Sequence, residues 1–236
     1  MTRTPTCGMV LVRNKEDPVS YPVRIEGELA PQLSRWLWLV KWLLAIPHFI
    51  CLVFLWLAYC VLTVVAFFAL LFTGRYPRGI FDFNVGVLRW TWRVAFYSYS
   101  ALATDQYPPF TLGEEPDYPA RLHVDYPETH RRGLPLIGWW LLGIPQYVIA
   151  GILGGSVGGW HLASGLISVL VLVAGIVLLF TREYPRGIFD LVMGFNRWVI
   201  RAAAYGSLLT PEYPPFRLDQ GGNEPTIVDA PVPAPS

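Results

Sequence analysis

Arginine and aspartate recur at fixed spacings in two segments of the chain. The first segment carries one set and the second carries the same set 108 positions later: Arg78, Asp82, Arg89 and Arg93, then Arg186, Asp190, Arg197 and Arg201. Arginine presents a fork of N–H donors that fits the oxygens of a phosphate group. The repeated arginines therefore predict an anion site, and an anionic lipid headgroup is the ligand they favour.

The repeated carboxylates allow a second interpretation of the same residues. A carboxylate beside an arginine is more often half of an ion pair than a general base. Each aspartate would then pair with an arginine of its own segment, while Arg93 and Arg201 would reach the headgroups as ordinary anchors. The pairs this predicts are Asp82 with Arg78 or Arg89, and Asp190 with Arg186 or Arg197.

Both segments belong to a duplication. The phrase LLFTGRYPRGIFD, Leu70–Asp82, returns as LLFTREYPRGIFD at Leu178–Asp190, with eleven of thirteen letters unchanged. The repeated structural motif comprises Tyr76, Pro77, Gly79, Asp82 and Gly86, and then Tyr184, Pro185, Gly187, Asp190 and Gly194. The predicted organisation is a disordered N-terminus, two membrane repeats and a disordered Pro-rich tail: residues 1–19, 20–112, 117–218 and 219–236.

The composition predicts an integral membrane protein. Hydrophobic residues make up 53% of the chain and charged residues 15%, with a mean hydropathy of +0.40, unlike an average soluble domain. In the second unit, Leu134–Leu153 and Leu162–Phe180 are each long enough to cross a hydrocarbon core of about 30 Å. The Gly-rich segment Gly154–His161 joins them. The net charge of +1 gives no reason to expect a nucleic acid as a partner.

The first unit has a single apolar run, Trp36–Phe72, which is too long for one upright helix. Two arrangements fit it: a tight hairpin that turns near Leu55–Cys60, or an interfacial helix over Pro31–Ile46 followed by one span, Pro47–Phe72. Hairpins in both units place essentially all 18 basic residues on one side of the membrane, which the positive-inside rule makes cytoplasmic. In this arrangement Lys41 snorkels from near a helix end.

A charged helix is predicted after each apolar segment. Arg78–Ala103 contains no proline, and Pro77 suits a helix's first turn. At 100° per residue, the repeated polar residues and Gly86 form one narrow stripe on an otherwise apolar helix. Such a helix lies in the membrane interface. If it crossed the bilayer instead, two arginines would lie near its middle at a high energetic cost.

The expected fold class is therefore all-α and integral to the membrane. It consists of two tandem parallel repeats, each a transmembrane helical hairpin followed by an amphipathic interfacial helix, related by an axis along the membrane normal. Short alternating stretches, Val23–Glu26 and Ala120–Val124, are predicted strands. They are expected to pair with Phe110–Leu112 and Phe216–Leu218.

Cysteine and histidine form no pattern typical of a metal or catalytic site. The three cysteines have no metal-ligand spacing and the four histidines are scattered. We therefore expect no cofactor, no metal ion and no enzymatic activity. An enzyme acting on lipids would need Asp82 or Asp190 as its acid or base.

Three phrases of the first unit resemble a bacterial membrane family catalogued as domain of unknown function 4389 (DUF4389): Ile46–His48, Leu70–Trp90 and Asp105–Phe110. The resemblance covers both units, over about residues 20–218. The second unit departs from the pattern at Gln146, where the first has His48, and at Arg182, where the first has Gly74. The resemblance implies a multi-pass membrane protein of a bacterial envelope and brings no activity, cofactor or catalytic residue.

These observations predict a multi-pass protein of the bacterial inner membrane, with both termini cytoplasmic. It would organise anionic lipids or a membrane protein partner as a structural or accessory protein. The residues expected to bind lipid or another anion are Arg78, Arg89, Arg93, Arg186, Arg197 and Arg201. The alternative is a small transporter or channel formed by a homo-oligomer, although the apolar stretches carry no ionisable residue that marks a substrate route.

Overall fold

A computed structural model describes residues 21–127, 141, 143–154 and 165–219 of the protein. Within these residues the chain is mostly helical, with six helices and a two-stranded sheet. The strands are β1 (Val23–Gly27) and β2 (Ala120–Val124); the helices are α1 (Trp38–Leu44), α2 (Ile46–Thr73), α3 (Arg78–Ser98), α4 (Ile144–Gly154), α5 (Leu166–Thr181) and α6 (Arg186–Gly206). The predictions for residues 1–19, 220–236 and 155–161 lie outside the described residues.

α2 is one unbroken helix of 28 residues, so the hairpin expected near Leu55–Cys60 is wrong. The first unit has no glycine between Trp36 and Phe72 that could reverse the chain. Pro47 occupies the first turn of α2, where a missing N–H costs little. The arrangement resembles the other alternative, a short helix followed by one long helix.

In the second unit, α4 and α5 together correspond to α2. Ile144-Pro145 matches Ile46-Pro47 at the start, 98 positions apart, whereas Thr181 matches Thr73 at the end, 108 positions apart. The second unit therefore carries ten extra residues in the middle of this element. The first unit has the single helix α2 here, whereas the second has the two helices α4 and α5, and Gly165 is extended directly before α5.

β1 and β2 pair with each other in antiparallel register, with Ile25 opposite Leu122. Because Tyr21-Pro22-Val23-Arg24 matches Tyr118-Pro119-Ala120-Arg121, Ile25 and Leu122 are equivalent residues of the two units. A pseudo-twofold axis therefore passes between them, perpendicular to the sheet. The expected pairing of the strands with Phe110–Leu112 and Phe216–Leu218 is wrong, because each strand finds its complement in the equivalent strand.

The helices of the two units run in opposite directions. The Tyr76 hydroxyl, at the start of α3, donates to the carbonyl of Ser207 at the end of α6 at 3.4 Å, and the Tyr184 hydroxyl, at the start of α6, donates to the carbonyl of Ala101 beyond α3 at 2.7 Å. The axis is thus perpendicular to the helices. The expectation that this axis runs along the membrane normal stays a prediction.

α3 lies between α2 and the sheet. On one side, Thr91 accepts a hydrogen bond from the Trp56 indole of α2 at 3.1 Å; on the other side, Arg89 donates to β2 at 3.0 Å. At 100° per residue, positions 89 and 91 are 200° apart around the helix. α6 has the matching neighbours, α4 and α5 on one side and β1 on the other. The protein is therefore built in three layers: the apolar layer of α1, α2, α4 and α5, the middle layer of α3 and α6, and the sheet.

The sheet presents its charged side chains outward. Val23 and Ile25 are fully buried against the middle layer, while Arg24 and Glu26 are exposed. β2 follows the same alternation, as expected of a strand with one face on a core. The charged face of the molecule therefore lies opposite the apolar layer.

Candidate functional site

Arg89 and Arg197 each hold the strand of the other unit. Arg89 Nε donates to the carbonyl of Leu122 in β2 at 3.0 Å, and Arg197 Nε donates to the carbonyl of Ile25 in β1 at 3.4 Å. Arg89 also forms an ion pair with Glu114 at 2.9 Å. Burial lowers the pKa of Arg89, and Glu114 opposes that shift. Two of the predicted anion-binding residues thus bind backbone carbonyls across the unit boundary.

Arg93 and Arg201 are buried rather than directed to headgroups, so their expected role as anchors is wrong. Their exposed fractions are 1% and 0%. Arg93 Nη2 donates to the carbonyls of Thr111 and Gly113 at 3.1 and 2.7 Å. Burial lowers the pKa of both arginines, that of Arg201 to about 10. These side chains fix the irregular segments that follow α3 and α6.

Gly86 and Gly194 let those segments approach the helices. A Cβ added at Gly86 would lie 2.8 Å from Leu112 Cβ, and one added at Gly194 would lie 2.8 Å from Leu218 Cβ. Both distances are too short for a real contact. Close packing of the chain therefore explains the two glycines.

Arg78 and Arg186 are the two predicted anion-binding residues that remain exposed. They begin α3 and α6, directly after Pro77 and Pro185, which hold the extended conformation that precedes each helix. The Arg78 guanidinium lies 3.9 Å from the centre of the Tyr126 ring. A Cβ added at Gly79 or Gly187 would meet no described atom within 4 Å, so this end of each helix is open.

Asp82 and Asp190 are also exposed. Among the described residues neither lies within ion-pair distance of an arginine, so the predicted pairs are wrong, although the charge of Asp82 still raises the pKa of Arg89 from a greater distance. Arg89 turns instead toward Glu114. An amphipathic pattern identifies the polar face of a helix, but it does not identify which carboxylate of the folded chain will meet that face.

Lys41 forms a buried ion pair that the sequence analysis missed. Its Nζ lies 2.8 Å from Asp105 and donates to the carbonyl of Thr104 at 2.6 Å, with 1% of the lysine exposed. The expectation that Lys41 snorkels to the membrane surface is therefore wrong. Asp105, near the end of the first repeat, could have indicated this pair. A lone lysine in an apolar run requires a carboxylate as its partner.

His48 and Gln146, the most evident difference between the units, have the same role. The Trp90 indole donates to His48 Nδ1 at 3.1 Å, and the equivalent Trp198 indole donates to Gln146 Oε1 at 2.7 Å. Both acceptors are fully buried. Each unit thus supplies one polar atom to a tryptophan N–H that the interior must satisfy.

Among the residues that the structure describes, no group of three or more histidine, cysteine, aspartate or glutamate side chains is placed to hold a metal ion. Of the helices that the structure describes, α2 is long and apolar enough to cross a membrane by length and composition. Fold and site together define a class of protein: two helical repeats, each of which takes its strand from the other, with a layer of apolar helices.

The chain belongs to the family described as Domain of unknown function (DUF4389). The family matches residues 35–111 and 157–217, two segments consistent with two tandem copies. No curated protein and no solved structure matches the chain.

Proposed function

We propose that this protein is a non-enzymatic membrane protein that embeds its apolar layer in lipid and holds anionic headgroups at the edge of that layer. It acts as a structural or accessory protein of a bacterial inner membrane, with both termini on the cytoplasmic side. The observation that carries the proposal is the chemistry of the outward face of α2.

The outward face of α2 is apolar along the length of the helix. Only five of its 28 residues are buried, and α2 contains no aspartate, glutamate, lysine or arginine. Val53, Phe54 and Phe72 are exposed by 67%, 69% and 73%. A surface helix in water carries polar residues on its outer side, and large exposed apolar patches are typical of membrane or protein contacts. Hydrocarbon is the environment that suits this face.

The layer order favours an orientation in which α2 lies along the membrane. β2 and the residues beside it follow α3 from end to end: the Tyr118 hydroxyl lies 3.5 Å from the carbonyl of Arg93, and the Tyr126 ring lies 3.9 Å from Arg78. An upright α2 would therefore bring the exposed His123 of β2 to the depth of the hydrocarbon. Charged side chains and open sheet edges are costly there.

The length of α2 supports the same orientation. At 1.5 Å per residue, its 28 residues extend over about 42 Å, well beyond a hydrocarbon thickness of about 30 Å. We place the apolar layer within one leaflet and the sheet in water. In this orientation the chain enters the membrane without the four spans expected from the sequence.

Exposed arginines lie at the ends of the apolar helices. Arg75 follows α2 and Arg182 follows α5, and Arg78 and Arg186 begin the next helices. In the proposed orientation these side chains lie at the edge of the embedded layer, level with the headgroups. A basic residue near an anionic membrane surface contributes about 1 kcal/mol. The buried arginines have no part in this contact.

The lipid contact is tested by removing charges from opposite faces. We expect Arg78→Gln with Arg186→Gln to reduce the phosphatidylglycerol retained by the protein several-fold in native mass spectrometry. The control is Arg24→Gln with Arg121→Gln, which removes the same charge from the sheet and should leave retention unchanged. Equal retention in the two double variants would sink the proposal.

A second candidate is an oligomeric channel, which the charged outer face of the sheet favours. If α2 stands upright, the sheet must be shielded from lipid, and a ring of subunits that encloses it would provide an aqueous lumen. Such a lumen would be lined by the exposed charges of the sheet, including Arg24, Glu26 and Arg121.

Single cysteines distinguish the two orientations. They are introduced at Ser34, Arg75 and His123 in a chain without Cys7, Cys51 and Cys60, and labelled with an impermeant maleimide in right-side-out and inverted vesicles. If α2 lies along the membrane, all three positions are labelled from the same side. Labelling of positions 34 and 75 from opposite sides would replace the proposal with the channel.

A further inference from the structure

A cavity of about 330 Å³ lies between α3, β2 and the segment Glu114–Pro116. Its volume is at the lower end of the range for small-molecule sites, about 300 to 1,000 Å³. Its walls include the outward side chains of both strands, so it belongs to the charged face of the molecule. The charged and titratable residues that line it include Arg24, Glu26, Arg89, Arg93, Glu115 and Arg121.

Three of the four wall arginines are neutralised by carboxylates of the protein. The pairs are Arg24 with Asp125 at 2.9 Å, Arg89 with Glu114 at 2.9 Å, and Arg121 with Glu26 at 3.2 Å. These three guanidinium groups already have carboxylate acceptors within the protein. They form part of the cavity wall, but their charges are neutralised and attract an anion only weakly.

Arg93 is different. It forms no ion pair with a described carboxylate, and its side chain is 1% exposed. Nη2 donates to two carbonyls, while Nε and Nη1 are buried without a hydrogen-bond partner in the described structure. Leaving a buried charged donor unmatched is unfavourable. The equivalent Arg201 uses both terminal nitrogens on carbonyls, of Arg217 at 3.1 Å and Asp219 at 2.6 Å.

We propose that this cavity is a binding site for a small soluble anion with phosphate or carboxylate oxygens, held by Arg93. The oxygens of such an anion supply the acceptors that the Arg93 guanidinium lacks, and a charge-assisted hydrogen bond is stronger than a neutral one. The source is a soluble molecule because the cavity lies on the sheet side, opposite the apolar layer. The exposed arginines of the proposed lipid contact do not line the cavity, and only the choice of a soluble source rests on the proposed orientation.

Glu115 sets the strength of the site. It is part of the cavity wall, and its charge raises the pKa of Arg93 against the lowering caused by burial. A carboxylate in the wall also repels an incoming anion. Its removal should therefore favour binding, whereas removal of Arg93 should oppose it.

The test is calorimetric titration of the full chain, in phosphatidylcholine nanodiscs, with inorganic phosphate. We expect Arg93→Gln to weaken phosphate binding at least about tenfold and Glu115→Gln to tighten it several-fold. Arg201→Gln removes an equally buried arginine from the other unit and should keep the affinity of the unaltered protein. Arg78→Gln with Arg186→Gln should also leave phosphate affinity unchanged, whatever it does to lipid retention.

The proposal is overturned if the unaltered protein does not bind phosphate, or if Arg93→Gln and Arg201→Gln bind it alike. Should Arg93→Gln fail to fold, Glu115→Gln decides, since unchanged or weaker binding in that variant contradicts the site. Phosphatidylglycerol added to the nanodiscs distinguishes the sources. Competition with phosphate would assign the cavity to a lipid headgroup and overturn the soluble ligand.

Discussion

Gly74 and Arg182 end equivalent helices in the same left-handed conformation, with φ of 70° and 64°. The backbone N–H of each donates to the carbonyl four residues earlier at 2.9 Å. Glycine adopts this conformation without strain, whereas a residue with a Cβ does not. The two units therefore share the shape of the turn, although only the first has the residue that favours it.

We expect Arg182→Gly to raise the free energy of unfolding by about 0.5 to 1 kcal/mol. Gly74→Ala should lower it by about 1 kcal/mol, because it introduces the same strain into the first unit. Arg182→Ala is the control, since it removes the charge and keeps the Cβ. Denaturant titration in detergent measures all three, and equal stabilities of the glycine and alanine variants at position 182 would contradict the explanation.

The hydrogen bond from the Trp90 indole to His48 predicts that two substitutions at position 48 will differ in their effect on stability. His48→Gln introduces the residue that the second unit has at the equivalent position, Gln146. It should change the free energy of unfolding by less than about 1 kcal/mol. His48→Leu leaves the Trp90 N–H buried without an acceptor, which should cost about 1 to 3 kcal/mol. Thermal unfolding followed by tryptophan fluorescence compares them. A leucine variant as stable as the glutamine variant would show that the hydrogen bond contributes nothing.

The buried Lys41–Asp105 pair should contribute more to stability than the exposed Arg24–Asp125 pair. Lys41→Ala removes the buried partner of Asp105, whose side chain is 28% exposed, so the loss should cost about 1.5 to 3 kcal/mol, less than the loss of a partner from a fully buried pair. Arg24→Ala breaks a pair whose side chains are 46% and 49% exposed, so it should cost less than about 1 kcal/mol. Denaturant titration of the two variants measures the difference, and a similar loss in both would argue against a buried role for Lys41.

The glycines of the middle layer offer a steric test. Gly86→Ala would place a methyl group 2.8 Å from Leu112 Cβ, and relief of such a clash typically costs about 1 to 3 kcal/mol. Gly79→Ala, in the same helix, meets nothing within 4 Å and should raise stability by up to about 1 kcal/mol, because alanine has the higher helix propensity. Calorimetric melting of both variants tests this. Equal melting temperatures of the two alanine variants would mean that the Phe110–Gly113 segment moves freely.

The sequence was sufficient for the duplication and for the helices that begin after Pro77 and Pro185. It was not sufficient to predict which parts of the chain pack against each helix. The arginine stripe on α3 fitted headgroup phosphates, water or backbone carbonyls equally well, because amphipathicity reports a difference between faces and not the identity of the neighbour. The carbonyls of Leu122 and Thr111 became its partners through long-range folding.

The same limit explains the strands. Their alternation was readable from Val23–Glu26 and Ala120–Val124, but the partner of a strand depends on contacts far apart in sequence. The duplication itself could have predicted the pairing, since two copies of one strand can pair antiparallel around a twofold axis. The continuous α2 was likewise ambiguous, because hydropathy measures the length of an apolar run and not whether the chain reverses within it.

Exchange of strands between the units has a consequence for the origin of the chain. Because β2 belongs to the second unit and is held by Arg89 of the first, neither half contains everything needed to complete its own core. An isolated repeat would leave the strand-binding side of its middle-layer helix uncovered, and two copies could cover these sides by exchanging strands. Carrying both repeats on one chain makes that encounter independent of protein concentration. It also allows the halves to differ, as they do in the Lys41–Asp105 pair of the first unit and the ten extra residues of the second.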